Sequence, residues 1–330
     1  MAEKLAIAVI GAGTMAGRHM RTLKQSLNSR LVAVMDVDAQ RAKAVGEEHG
    51  VKAYNDLDSV LGDPDVEAVV IYVPHCFHAE ISIAAATAGK HVLVATPMAL
   101  TLADCDRMIK ASDAAGKVLM VGQDLRHVPM HRKAKSLIAE GAIGRVDHLM
   151  SRRYSYWDPT VSGHPWYLDP KMVGNCVLFA LGSLEYDILH WYMDSPVKQI
   201  YSKGTESTEI YRGQEDSYSS MMTHDNGAVS VLCQTVVCKG GPNDQHIVGS
   251  EGYIVVSEGQ VRVNGENVVV EGSEDSKLNQ AGEFATCCLE GKEPDASGRS
   301  SRHTIAIIEA AMRSAERNEP VLLSEFDLVP

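Results

Sequence analysis

The chain is 330 residues long, 45% hydrophobic and 22% charged, with a formal net charge of −12. That length predicts two domains and a substantial core. The acidic balance argues against a nucleic-acid ligand, which needs clustered Lys and Arg, and no basic amphipathic stretch suits a membrane surface.

The first apolar run, Leu5-Ala6-Ile7-Ala8-Val9-Ile10, predicts a buried strand and leads directly into Gly11-Ala12-Gly13-Thr14-Met15-Ala16-Gly17. Met1-Ala2-Glu3-Lys4 enters that strand at once, so no signal peptide is expected. A helical pattern follows, then a second apolar run ending at Asp36. Strand, glycine turn, helix, strand, acid is the layout of a dinucleotide-binding unit. Gly11 would permit the tight turn and Gly13 the close approach of a pyrophosphate. Ala16 is small enough for helix–strand packing. Amides at the start of the helix, around Thr14 and Met15, would face the phosphates. Asp36 would accept hydrogen bonds from the adenosine ribose and repel a 2′-phosphate, and Val37 and Asp38 supply no cation. The expected cofactor is therefore NAD rather than NADP.

Strand and helix patterns then alternate: a helix over 38–49, an almost wholly apolar strand over 66–73, a helix over 78–88 closed by Gly89, a strand over 91–94, a helix over 102–114 closed by Gly116, and a strand over 118–121. Such alternation predicts a doubly wound parallel sheet. After Gly122 the pattern changes. A helix near 130–140 precedes the turn Gly141-Ala142-Ile143-Gly144, then a strand over 145–156, an aromatic loop over 158–174 and a helix over 183–191. From 197 to 270, short apolar runs are separated by turns such as Asp225-Asn226-Gly227 and Asn264-Gly265, the mark of an antiparallel sheet. Helices near 278–289 and 303–315 follow. The expected architecture is α/β: a Rossmann domain over 1–122, and an α+β domain over 123–330 built on a large, mostly antiparallel sheet. No apolar run approaches the ~20 residues of a membrane span. Seven scattered cysteines without a C-x-x-C pair fit reduced thiols and a cytoplasmic protein. His127 and His131 are spaced to share a helix face, but no metal-ligand motif accompanies them and no metal is expected.

Several strings resemble the glucose–fructose oxidoreductase / inositol dehydrogenase / MocA family. These are the glycine turn through Gly17-Arg18-His19, and Val73-Pro74-His75-Cys76-Phe77-His78, similar to that family's T-P-N-x-x-H. Glu140-Gly141-Ala142-Ile143-Gly144-Arg145-Val146 and the segment from Trp166 to Asp187 also match. The resemblance covers nearly the whole chain. It implies an NAD-dependent oxidoreductase acting on a sugar, polyol or related cyclic hydroxy compound, with substrate between the domains and a homodimer or homotetramer packed through the open sheet. It implies cofactor contacts at Gly11, Gly13, Thr14, Met15, Asp36, Pro74, His75, Thr96, Pro97 and Gln123.

The departures bear on chemistry. Where the family carries E-K-P, this chain has Ala95-Thr96-Pro97, and the family's later Asp and His positions are Ala180 and Leu184. Alcohol oxidation needs a base for the hydroxyl proton, worth about a hundredfold to ten-thousandfold. Threonine can only exchange a hydrogen bond. His75, at the end of a buried strand, either supplies that acid–base group or hydrogen-bonds the cofactor. The candidate catalytic residues are His75, Thr96 and Tyr154. Candidate substrate contacts are Arg126, Tyr154, His164, Trp166, Ala180 and Leu184. Arg126 serves a substrate or an ion pair with Asp124 or another acid. Glu185, beside the missing histidine position, would become a base if it turned inward, but as a helix residue it is expected to be solvated. Two rivals remain open: NAD-dependent oxidation–elimination that cleaves a glycoside, and a non-catalytic NAD-binding regulatory protein.

Overall fold

The computed structural model describes residues 4–273 and 275–326 of the chain. They divide into two units: residues 4–124 with 275–302, and residues 125–273 with 303–326. The sequence pattern placed everything after 122 in the second domain. The 275–302 segment instead belongs to the first unit.

The first unit begins with β1 (Leu5–Ile10), α1 (Thr14–Gln25), β2 (Ser29–Met35), α2 (Ala39–His49), β3 (Lys52–Tyr54), α3 (Leu57–Gly62), β4 (Ala68–Ile71), α4 (His78–Thr87), β5 (His91–Val94), α5 (Leu102–Ala115) and β6 (Leu119–Val121). The strands form one parallel sheet in the order β3-β2-β1-β4-β5-β6. Every residue of β1 and β4 is buried, which is why both read as unbroken apolar runs. The short edge strand β3 and α3 carry no such signal and were not foreseen; Asp56 caps α3 by accepting from the Ser59 amide. The strand order reverses between β1 and β4, and open sheets bind ligands at the carboxyl edge of such a switch point.

The chain then enters the second unit with α6 (Pro129–Ala139), β7 (Val146–Tyr154) and α7 (Pro170–Val173). A π-helical turn (Cys176–Leu181) runs into α8 (Gly182–Met193). Seven strands follow: β8 (Val197–Thr205), β9 (Ser217–His224), β10 (Val229–Thr235), β11 (Asn243–Gly249), β12 (Gly252–Ser257), β13 (Gln260–Val263) and β14 (Glu266–Val268). Helix α9 (Ser276–Glu290) returns to the first unit, where Ala281, Phe284 and Ala285 join Leu5, Ile7, Val9, Met20 and Leu23 in one apolar cluster. Helix α10 (Gly298–Arg317) leads back to the second, which ends with β15 (Val321–Leu322). The nine-stranded sheet runs β14-β13-β12-β11-β7-β10-β9-β8-β15, antiparallel except where β10 lies parallel to β7.

Strand alternation sorts the sheet's faces. Leu149, Ser151, Leu232 and Gln234 are buried on the side of α8. His148, Met150, Arg152 and Tyr154 lie on the other, where Met150 and Met221 are exposed. Pro170–Met193 is, against the sequence expectation, long and apolar enough to cross a membrane, yet 72% of its 18-residue apolar stretch is buried inside the protein.

Arg126 and Asp187 form a bidentate pair (2.7 and 2.8 Å), both almost wholly buried, and the Thr304 hydroxyl donates to the same carboxylate at 3.0 Å. The guanidinium that was a candidate substrate contact is thus committed to α8. Removing one partner of a buried pair strands the other charge. Asp187→Asn is expected to cost about 3–5 kcal/mol, measured as a loss of unfolding free energy in urea.

Candidate cofactor and substrate sites

In the first unit the turn after β1 is set by contact. Gly11 sits at φ +93°, and a β-carbon on it would lie 2.1 Å from the Tyr72 carbonyl oxygen. Gly13 precedes α1 with nothing within 4 Å of where its β-carbon would be, and Met15 is 56% exposed. An open backbone at a helix amino end is what a pyrophosphate requires. Asp36 is buried beside it. Its Oδ2 accepts from the Ala12 amide (2.8 Å) and its Oδ1 from the Asp38 amide (2.9 Å). A ribose hydroxyl donating to this carboxylate would share it with these amides and with a neighbouring guanidinium. These residues fit a dinucleotide.

Sequence reasoning missed Arg41. Its guanidinium lies 3.4 Å from both Asp36 oxygens, because Asp38 caps α2 through the Gln40 and Arg41 amides and so fixes that first turn. A cation therefore does stand beside Asp36, although Val37 and Asp38 offer none.

The loops carrying His75 and Thr96 are tied through His78. Its buried ring nitrogens lie 2.7 Å from the Pro97 carbonyl and 3.0 Å from the Val73 carbonyl. Burial lowers its pKa, and a neutral ring can donate to only one of the two. His75 is buried in the 3₁₀ turn after Pro74, with its ring centroid 5.6 Å from that of His78. Thr96 is half-buried and joined to Pro97 by a cis peptide. Gln123 is buried, and its side-chain oxygen has no hydrogen-bond partner among the described residues.

A second unforeseen group comes from α9. The Lys277 ammonium pairs with Asp124 and donates to the Tyr72 hydroxyl at 3.3 Å. That hydroxyl lies 2.9 Å from His19 Nδ1. Burial and the nearby Lys277 push the His19 pKa down to about 3, so its neutral ring accepts the phenol proton. Gln280 also donates to Asp124. About 150 residues separate Lys277 from Asp124, so no local pattern could reveal the pairing.

In the second unit the aromatic loop gathers His164 and Trp166. Trp166 stacks on Tyr167 (centroids 3.7 Å apart), Trp157 meets Tyr167 edge-on at 4.3 Å, and His164 lies 6.4 Å from the same ring. The Tyr211 hydroxyl donates to the Trp157 carbonyl. Half-buried aromatic faces of this kind suit the C–H faces of a ring. Tyr154 does not join them on the helix-covered face. It pairs with Thr235 on the opposite side of the sheet, and Arg153 takes the inward position, its Nε 3.5 Å from Glu185. Successive strand residues face opposite sides of the sheet, so only one of the two can point toward α8. Ala180 and Leu184 are half-buried. Glu185, expected in solvent, is only 2% exposed. The helix around it has no exposed residue, so a charge within it is taken out of solvent. Among the described residues no group of three or more His, Cys, Asp or Glu could hold a metal ion.

A family model described as an oxidoreductase family with an NAD-binding Rossmann fold matches residues 5–123, and the GFO/IDH/MocA C-terminal domain model matches residues 131–255. Myo-inositol 2-dehydrogenase of Thermotoga maritima is 29% identical over 336 residues, spanning 97% of this chain and 98% of its own. 1,5-Anhydro-D-fructose reductase of Ensifer adhaerens is 28% identical over 248 residues, 75% of this chain and 74% of its own. The crystal structure of a probable dehydrogenase from Thermotoga maritima superposes with a TM-score of 0.87 at 26% identity, covering 97% of this chain and 99% of that one.

Asp36→Ser removes the ribose acceptor and releases Arg41. It is expected to weaken NAD⁺ binding by about tenfold or more, as loss of a charge-assisted hydrogen bond would, and to raise affinity for NADP⁺; fluorescence titration with both coenzymes checks this.

Proposed function

The chain belongs to the glucose–fructose oxidoreductase / inositol dehydrogenase / MocA family of oxidoreductases, and from that premise we propose that it transfers a hydride between NAD and a hydroxyl or carbonyl of a sugar, polyol or related cyclic compound. The observation that carries this reading is the open backbone at the start of α1 beside the buried Asp36 carboxylate. When bound there, NAD supplies the hydride chemistry. The chain's own residues would bind and orient. Gly11, Gly13, Thr14 and Met15 form the phosphate cradle, Asp36 receives the ribose, and the His75 and Thr96 loops, linked by His78, line the same carboxyl edge of the sheet. The aromatic stack of Trp157, Trp166 and Tyr167 offers a face for a polyhydroxylated ring. Relatives named for inositol and anhydrofructose support that substrate class.

Thr96, Ala180 and Leu184, which cannot transfer a proton, favour a second reading as an NAD-binding regulatory protein. A panel of inositols, anhydrosugars and aldoses decides between them. NADH formation establishes the enzyme, and NAD⁺ binding without turnover establishes the regulator. A cytoplasmic location is proposed on the seven scattered cysteines, which include no C-x-x-C pair.

We further propose that the uncovered face of the nine-stranded sheet packs against a second copy. Register aligns Tyr201, Met221, Val231, Met150, His246 and Val255 across six strands. Met221 and Met150 on that row are 52% and 43% exposed. A row that is apolar at every position but His246 marks an interaction surface.

Two outcomes are expected. His75→Ala should lose more turnover than Thr96→Ala, by about the tenfold that one hydrogen bond represents; equal small losses in steady-state kinetics would remove His75 from the reaction. Introducing Met150→Asp with Met221→Asp should halve the sedimenting mass or more, while a monomeric parent protein in sedimentation velocity would refute the paired sheets.

A further inference from the structure

Where α8 lies over β7 and β10 in the second unit, side chains end in buried polar atoms without a hydrogen-bond partner among the described residues. They are Glu185 Oε2, Ser183 Oγ, both ends of the Gln234 amide and Arg153 Nε. Glu185, Ser183 and Gln234 are 2%, 0% and 2% exposed. Gly182 makes room for the amide: a β-carbon there would lie 3.1 Å from Gln234 Nε2 and 3.3 Å from its oxygen. Arg153 Nε is 3.5 Å from Glu185 Oε1, an ion pair but not a hydrogen bond, and its side chain is 35% exposed, so the cluster reaches solvent. Buried polar atoms are nearly always paired, and a group of unpaired ones calls for a ligand or water. One carboxylate, one amide and one hydroxyl together match the alternating donors and acceptors of adjacent alcohols.

We propose that Glu185 is the proton-accepting catalytic residue, and that Gln234 and Ser183 hold the hydroxyls next to the one oxidised. This rests on the oxidoreductase reading and names the acid–base group that Thr96, Ala180 and Leu184 cannot provide. In the oxidising direction NAD, held by Gly11, Gly13, Thr14, Met15 and Asp36, would supply the acceptor for the carbinol's C–H pair as hydride. The O–H bond breaks, its proton passes to Glu185 Oε2, and its electron pair becomes the second bond of C=O. Reduction reverses each movement.

The environment supports the role. Burial pushes the Glu185 carboxyl up to about 7, against the opposing pull of the Arg153 guanidinium and the Ser151 hydroxyl, and a base poised near neutrality is the most effective. The other charged or titratable neighbours are Arg153 from β7, Tyr192 from α8 itself, and His131 from α6, which is hydrogen-bonded to Tyr192. β10 and β11 add the neutral amides of Gln234 and Gln245. Burial and Arg153 lower His131 to about 4, and burial raises Tyr192 well above its ordinary value, so neither changes charge near pH 7.

The test compares wild type, Glu185→Gln, Glu185→Asp and His75→Ala, with myo-inositol, glucose and 1,5-anhydrofructose as probes. Glu185→Gln preserves shape, and NAD⁺ binding measured by fluorescence should be unchanged. The expected result is a pH limb near 7 in wild-type kcat/KM that persists in His75→Ala and vanishes in Glu185→Gln, with about a hundredfold or greater loss of kcat, partly recovered in Glu185→Asp. A readout without substrate runs in parallel. The folded state holds this proton while the unfolded chain releases it, so wild-type stability should fall as pH rises from the ordinary glutamate range through 7. Glu185→Gln should lack that fall in thermal unfolding. Turnover and pH limb in Glu185→Gln that match wild type, or a limb lost in His75→Ala instead, would overturn this assignment alone. A wild type that binds NAD⁺ yet oxidises and reduces none of the probes overturns the oxidoreductase reading, and this one with it.

Discussion

At Gly11 the first strand turns so close to the next strand that only a hydrogen fits between the two backbones. The Tyr72 carbonyl occupies the space a β-carbon would need, and φ is positive. Much of the first unit follows from that contact. It brings the end of β1 against the end of β4, opens the backbone at Gly13, and aims the amides of α1 outward. It also presents the Ala12 amide to Asp36, so the acid that would receive a ribose helps to hold the turn that would receive the phosphates. The two functions share one carboxylate.

The second unit is organised by charge taken out of water. Asp187 is satisfied completely, by Arg126 and Thr304. Glu185, two residues earlier on the same helix, is not. Neighbouring buried carboxylates on one helix thus meet opposite environments. A carboxylate bound by both arms of a guanidinium serves architecture. A poorly paired one is drawn toward its protonated form, the state a proton-transfer group must be able to reach. The π-helical turn before α8 adds to the contrast, since such turns recur at functional sites.

How much of this the sequence disclosed depended on range. The unit from Leu5 to Asp36 was legible because strand, turn, helix and acid constrain one another within about thirty residues. Helix ends at Gly50 and Gly116 were marked by glycines that adopt positive φ. Arg41 was hidden because its proximity to Asp36 depends on how α2 is capped. The inward place of Arg153 was hidden because an alternating strand does not say which face a helix will cover. Glu185 was misplaced by judging the residue type without the helix around it, no residue of which is exposed. Lys277 was overlooked and the 275–302 segment misassigned for one reason: a helix pattern announces a helix but not the sheet it will pack on.

That last point bears on how the protein is made. Ala281, Phe284 and Ala285 complete an apolar cluster whose other members lie between Leu5 and Met120. A ribosome adding about 5–20 residues per second takes roughly ten to forty seconds to travel from β6 to the end of that returning segment. Throughout that interval the nascent amino-terminal sheet lacks one of its covering layers, so the coenzyme half of the protein cannot finish folding before the other half has been synthesised.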